Sequence, residues 1–196
     1  MTFFNIQELK AQGQHIRGMH KYASMEALYN FSEVINESAI PAYANQFDIF
    51  LSHSYRDKDT ILALKKFIEK AGYSVYIDWI DDPQLNRKYV TRNSVELIRS
   101  RMRYCRSLIY MFTPSSEDSK WMPWELGFMD GLKEKKVAIL QLNNTPEDNN
   151  SVSYIGREYL KIYFTVDKTE TELWINNSEG QWVSYKEWLQ GKEPGK

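Results

Sequence analysis

Four short apolar runs, the first two each followed by a stripe of apolar residues at helical spacing, set the framework of this chain. Phe47 to Ser52 (FDIFLS) has the composition of a strand, and Ile61, Leu64, Ile68 and Ala71 then fall on one side of a helix that opens at Asp57 and stops at Gly72. Tyr73 to Ile77 (YSVYI) begins the second repeat. A polar loop rich in Asp, Asn and Pro separates it from the next helical stripe, Thr91, Val95, Ile98 and Met102. Ser107 to Phe112 (SLIYMF) is the third strand, TPSSEDS leads into a helix ending near Gly131, and Val137 to Leu142 (VAILQL) is the fourth strand. Strands that are apolar throughout suit a sheet covered on both faces. Their alternation with helices predicts parallel pairing through right-handed crossovers.

The fold class is therefore α/β and flavodoxin-like in outline, a central parallel sheet with helices on both faces. Residues 1–45 read as a helical N-terminal extension, with Ile6, Leu9, Met25, Leu28 and Tyr29 at helical spacing and breaks at Gly13, Gly18 and Pro41. Residues 46–145 form the core. Residues 146–196 read as a C-terminal addition packed on it: a loop (NNTPEDNN), a fifth strand from Tyr159 to Phe164, a hairpin of Leu173–Ile175 against Trp182–Tyr185 around NNSEG, and a frayed EPGK tail.

Composition adds mainly exclusions. A chain of 196 residues with 42% hydrophobic and 26% charged residues suits one folded domain. Its 25 basic and 26 acidic side chains leave a net charge of −1, which offers no overall field for nucleic acid or an anionic membrane. No apolar run approaches the roughly 20 residues needed to span a bilayer. The lone Cys105 and an N-terminus without a signal-peptide pattern place the expected compartment in the cytoplasm. Three histidines and one cysteine cannot supply the usual spacing of a structural zinc site, so no metal is expected.

In an open α/β sheet ligands bind beyond the carboxyl ends of the strands, so the residues following each strand carry the candidate chemistry. These are His53, Ser54, Tyr55 and Arg56 after the first strand; Asp78, Trp79, Asp81 and Asp82 after the second; and Ser115, Ser119, Trp121 and Glu125 after the third. Neither a Walker pattern nor G-x-G-x-x-G is present, which argues against a P-loop nucleotidase or a Rossmann dehydrogenase. Plainer readings stand beside each candidate. A carboxylate such as Glu125 early in a helix interacts favourably with the helix dipole. Trp121 and Trp124 suit core or interface anchors, His53 a strand-end hydrogen bond, Asp81 and Asp82 a turn ahead of Pro83, and Cys105 a small buried hydrophobe. Arg99, Arg101, Arg103 and Arg106 read as a solvated helical face.

The segments FDIFLSHSYRDKD, GYSVYIDWIDDP and SKWMPWELG, in that order and spacing, resemble the three boxes of a Toll/interleukin-1 receptor (TIR) domain across Phe47 to Leu142. Trp121 and Glu125 resemble the Trp-x-x-x-Glu motif of the family's NAD-consuming members. The likeness is to bacterial stand-alone TIR NADases of Thoeris-like antiphage systems. It implies cleavage of the nicotinamide–ribose bond of NAD with Glu125 as the catalytic carboxylate, and Ser54, Tyr55, Asp78, Trp79 and Trp121 as substrate-binding residues. It further implies NAD as substrate with no cofactor, self-association through the BB loop after the second strand, and a separate effector that responds to the product. Two features depart from the family pattern: the BB loop lacks the common Pro-Gly pair, and Pro123 lies between Trp121 and Glu125. A helix beginning at Asp118 or Ser119 would tolerate that proline in its first turn. Two alternatives are a non-enzymatic adaptor acting through TIR–TIR contacts and a nucleoside deoxyribosyltransferase-like enzyme.

Overall fold

The computed structural model describes residues 4–22, 46–82, 85, 91–143, 154 and 156–195. In chain order the strands are β1 (Phe4–Asn5), β2 (Phe47–Ser52), β3 (Val75–Tyr76), β4 (Cys105–Phe112), β5 (Val137–Asn143), β6 (Phe164–Lys168), β7 (Leu173–Asn176) and β8 (Trp182–Ser184). The helices are α1 (Ile6–Tyr22), α2 (Lys58–Lys70), α3 (Asp78–Asp81), α4 (Arg92–Tyr104), α5 (Trp121–Lys133) and α6 (Tyr185–Leu189). All eight strands share one sheet, ordered β3-β2-β4-β5-β6-β7-β8, with β1 pairing in parallel to the end of β5. Pairing is parallel from β3 to β6 and antiparallel in the β6–β7–β8 portion, as the α/β reading requires.

Alternation along the strands divides the core in two. Ile49 and Leu51 of β2, Ile109 and Met111 of β4, and Ala138 and Leu140 of β5 pack with Leu9 of α1, Ile61, Leu64 and Ile68 of α2 and Tyr185 and Trp188 of α6. Phe50, Leu108, Tyr110, Phe112, Val137 and Ile139 face the other way, against Ile98 and Met102 of α4 and Met122, Leu126 and Met129 of α5. Cys105 is buried and free, and burial pushes its thiol well above the ordinary range.

Several expectations change. Gly13 and Gly18 do not break a helix: α1 runs through both, started by Asn5, whose side-chain oxygen accepts from the backbone N–H groups of Gln7 and Glu8 at 2.9 and 3.0 Å. Gly13 serves close packing, since a Cβ there would lie 1.7 Å from the carbonyl oxygen of Asp59 on α2. The expected positions of Met25, Leu28, Tyr29 and Pro41 lie outside the described residues, as does nearly all of the BB loop. β3 is shorter than Tyr73–Ile77 because Ser74 is diverted to Asp48: its Oγ accepts from the Asp48 N–H while its own N–H donates to the Asp48 carboxylate. The fifth parallel-sheet strand is Phe164–Lys168 rather than Tyr159–Phe164. The earlier residues form a 3-10 turn, Glu158–Ile162, that buries Leu160 and leaves Ile162 75% exposed. The hairpin forms as read, except that Tyr185 opens α6. The tail is not frayed through Gly195: Pro194 is buried, its carbonyl accepts from Asn177, and Glu193 pairs with Lys135 at 2.8 Å.

The arginine run lies on a partly exposed face, as expected of a solvated one, and its members have partners there. Arg101 and Arg106 pair with Asp82 and Asp48, Arg99 pairs with Glu96, and the Arg99 and Arg103 guanidinium groups lie over the Phe128 ring.

Candidate active site

From β2 the chain moves outward to β3 and then crosses back to β4 on the other side, so the carboxyl ends of β2 and β4 flank the point where strand order reverses. The loops there are tied together. Thr113, just past β4, donates from Oγ1 to Asp57 at 2.7 Å, while Ser54 caps the 3-10 turn Tyr55–Asp57 by accepting from the Arg56 N–H at 3.4 Å.

Glu125 lies against the carboxyl end of β2. Its helix begins at Trp121, later than Asp118 or Ser119, and Pro123 still falls in the first turn, where its missing N–H costs nothing. Trp121 and Glu125 are consequently one turn apart on the same helix. Glu125 occupies the buried stripe itself, between Met122 and Met129, and is 0% exposed. A carboxylate in such a place must be hydrogen-bonded. Ser52 donates from Oγ to its Oε2 at 2.6 Å.

Ser52 is the last residue of β2 on the α4/α5 face, and in register across β4 stands Tyr110, also fully buried. Burial pushes the Tyr110 phenol up to about 12, an effect the Arg157 cation opposes and the Glu125 charge reinforces, so the hydroxyl is neutral near pH 7. Arg157 donates to that hydroxyl at 2.5 Å.

A second cluster forms where β2 meets α3. His53 Nδ1 lies 2.7 Å from the Leu51 carbonyl and therefore carries the proton in that bond, which leaves Nε2 to accept from the Trp79 indole N–H at 3.1 Å. Asp78 lies 3.4 Å from the same Nε2. Tyr55, 63% exposed, meets Trp79 edge-on with centroids 6.4 Å apart, and the Lys58 ammonium sits 3.7 Å from the Tyr55 ring centre. The two aromatic rings and the cation cluster just past the carboxyl end of β2.

Asp81 and Asp82 do more than shape a turn. Asp82 is buried, accepts from Tyr76 at 2.7 Å and takes both arms of the Arg101 fork at 2.7 and 2.8 Å. Asp81 accepts from the Ile77 N–H at 2.6 Å, and burial raises its carboxyl to about 6.

The candidates thus fall into groups. Glu125 meets Ser52, and Asp78, Trp79 and Tyr55 gather around His53. Trp121 packs edge-on against Trp124 at 5.6 Å and against the α4/α5-side core, while the Ser54 hydroxyl caps its own turn. Sequence reasoning missed Ser52, Tyr110 and Arg157. The first two could have been found by following strand alternation from Phe50 and Leu108 to the strand ends; Arg157, beyond the fourth strand, carries no local signal.

Comparison with known proteins gives the family. The chain is 44% identical over 186 residues, 87% of its length and 93% of the relative's, to a Bacillus cereus (strain MSX-D12) protein named "Probable 3' cyclic ADP-D-ribose synthase ThsB'". It is 30% identical over 107 residues, 54% of its length and 28% of the relative's, to a Cytobacillus dafuensis protein named "Putative cyclic ADP-D-ribose synthase TIR2". With the TIR domain profile matching residues 49–173, and the three boxes folded around one switch point, this chain belongs to the TIR domain family.

Proposed function

We propose that this protein cleaves the nicotinamide–ribose bond of NAD and closes the remaining ADP-ribose into a cyclic nucleotide that signals to a separate effector, as in the Thoeris-like systems its boxes resemble. The observation that carries the reading is the Glu125 carboxylate, buried at the switch point and held by Ser52. The names of the two relatives support the cyclic product.

The nicotinamide ring is already cationic while bound in NAD and departs as a neutral base, so its departure needs no general acid, unlike ordinary glycosides that require a flanking carboxyl pair. As the C–N bond breaks, its electron pair goes to the nicotinamide nitrogen and the ribose gains oxocarbenium character. A fixed carboxylate shielded from water stabilises that charge. Ring closure follows when a nucleophile of the same molecule attacks the ribose carbon. If that nucleophile is a hydroxyl, its proton is released, and Glu125 is the acceptor at hand. Attack by water gives ADP-ribose instead. Trp79 and Tyr55 offer flat faces for a base, Trp121 opens the carboxylate's helix, and Asp78 lies close enough to His53 for the two to shape one side of the site. Because Glu125 is fully covered, substrate gains access only when neighbouring groups move aside, in keeping with a site opened by self-association.

The test is nicotinamide release from NAD, followed by chromatography, with mass analysis of the nucleotide product. Glu125→Gln is expected to lower the rate by at least about 10²-fold. Release at the wild-type rate in that variant would remove Glu125 from the chemistry, and ADP-ribose as the sole product would remove the cyclisation step.

A further inference from the structure

We infer that Arg157 holds the diphosphate of the substrate beside Glu125, an assignment that rests on the NAD-cleaving function proposed above. Arg157 follows the connection after β5 and reaches back to the carboxyl end of β4. There one amine of its guanidinium donates to the Tyr110 hydroxyl at 2.5 Å, and the other donates to the backbone carbonyl of Glu117, ahead of α5. Tyr110 stands in register with Ser52, which holds Glu125. The guanidinium is therefore anchored on the residue that stands opposite Ser52 across the two strands.

The nature of the anchors matters. Both are neutral oxygens, so they fix the guanidinium without cancelling its charge. The other half-buried arginines of the sheet's edge and helices are matched to carboxylates, Arg101 to Asp82 and Arg106 to Asp48. Among the described residues no carboxylate forms an ion pair with Arg157. A guanidinium has five N–H donors, and with two committed the others remain for an incoming acceptor. A cation that is preoriented, partly desolvated and unneutralised is suited to an anion with several oxygens, and arginine forks match phosphate geometry.

The arrangement of charges also fits one molecule. Tyr110 bonds the Arg157 cation directly and lies within the influence of the Glu125 carboxylate as well. NAD presents the complementary order along its length: a ribose that becomes positive, then a diphosphate.

The experiment combines kinetics and binding. Arg157→Gln is expected to raise KM for NAD by about 10 to 100-fold, the effect of losing a charge-assisted hydrogen bond, with kcat changed less than about threefold. ADP-ribose binding, measured by calorimetry, should weaken by a similar factor, whereas nicotinamide riboside, which has no phosphate, should bind equally to both proteins. Arg157→Lys, which keeps the charge and loses the fork, should fall between. Unchanged KM and ADP-ribose affinity in Arg157→Gln would overturn the assignment. So would a fall in kcat with KM intact, which would make Arg157 a positioning residue acting through Tyr110. Should the variants fail to fold, inorganic pyrophosphate tested on the wild-type protein decides: competition with NAD, or displacement of ADP-ribose, is expected, and neither effect at about 10 mM would overturn the proposal. A wild-type protein that binds ADP-ribose through Arg157 yet releases no nicotinamide would sink the NAD-cleaving reading and leave the anion site standing.

Discussion

At the scale of single residues, the Ser52–Glu125 hydrogen bond joins a strand end to a helix 73 positions later and ties down a carboxyl group that is completely buried. Removing the donor leaves the carboxylate less constrained and less well satisfied. Ser52→Ala is expected to cost about 1–3 kcal/mol of stability, measured by urea unfolding, and to lower nicotinamide release about tenfold through misplacement of the carboxylate. Release at the full rate would show that Ser52 only fills space. Asp81 offers a test by pH. Its carboxyl is raised from an ordinary 3.8 to about 6 because burial penalises the charged form. The folded state therefore binds the proton more tightly than the unfolded chain, and the stability it contributes is full below about pH 4 and lost as pH rises through about 6. Asp81→Asn keeps an acceptor for the Ile77 N–H and removes the titration. Its stability relative to wild type should rise between pH 4 and 6 and level off above; a difference that stays flat with pH would contradict the burial argument. Of these residues Glu125 is singled out in the sequence by the resemblance of Trp121 and Glu125 to the family's Trp-x-x-x-Glu motif. Ser52, Tyr110 and Arg157 are not, because their significance comes from pairing between distant segments.

At the scale of elements, the two glycines of α1 look alike in sequence and differ in the fold. At Gly13 an added Cβ would meet the Asp59 carbonyl oxygen at 1.7 Å, whereas at Gly18 nothing lies within 4 Å. Gly13→Ala should push α1 away from α2, disturb the Arg17–Asp59 pair and destabilise the protein by about 1–3 kcal/mol. Gly18→Ala should instead stabilise by about 0.5–1 kcal/mol through helix propensity. Thermal unfolding of both variants checks the opposite signs. Helix periodicity located α2 and α4 well, because each has an apolar stripe over the sheet. It failed at Tyr159–Phe164, where aromatic and β-branched residues resemble a strand while the backbone turns in 3-10 fashion to bury Leu160 alone.

At the scale of the whole molecule, the sheet extends beyond the segment that carries the family match. Tyr185 and Trp188 of α6 are fully buried in the same core as Leu9, Ile61 and Ile109. The C-terminal strands and helix thus belong to one packing unit with the parallel strands. Trp188→Ala is expected to cost about 3–5 kcal/mol and to leave a single unfolding transition observed by fluorescence and circular dichroism. Two separated transitions would mean that the C-terminal region folds apart. No helix among the described residues is long and apolar enough to cross a membrane.

Local patterns alone determined the strand and helix sequence from Phe47 to Leu142, the parallel α/β class and the placing of Glu125 on a helix after the third strand, because periodicity and box order are properties of neighbouring residues. Tertiary structure decided that Ser52 holds Glu125, that Asp82 is spoken for by Arg101 and Tyr76, that Gly13 is a contact rather than a break, and that Arg157 arrives beside Tyr110. Those outcomes depend on strand register and on which face each side chain takes, and register is set only when the whole sheet buries its two sides together.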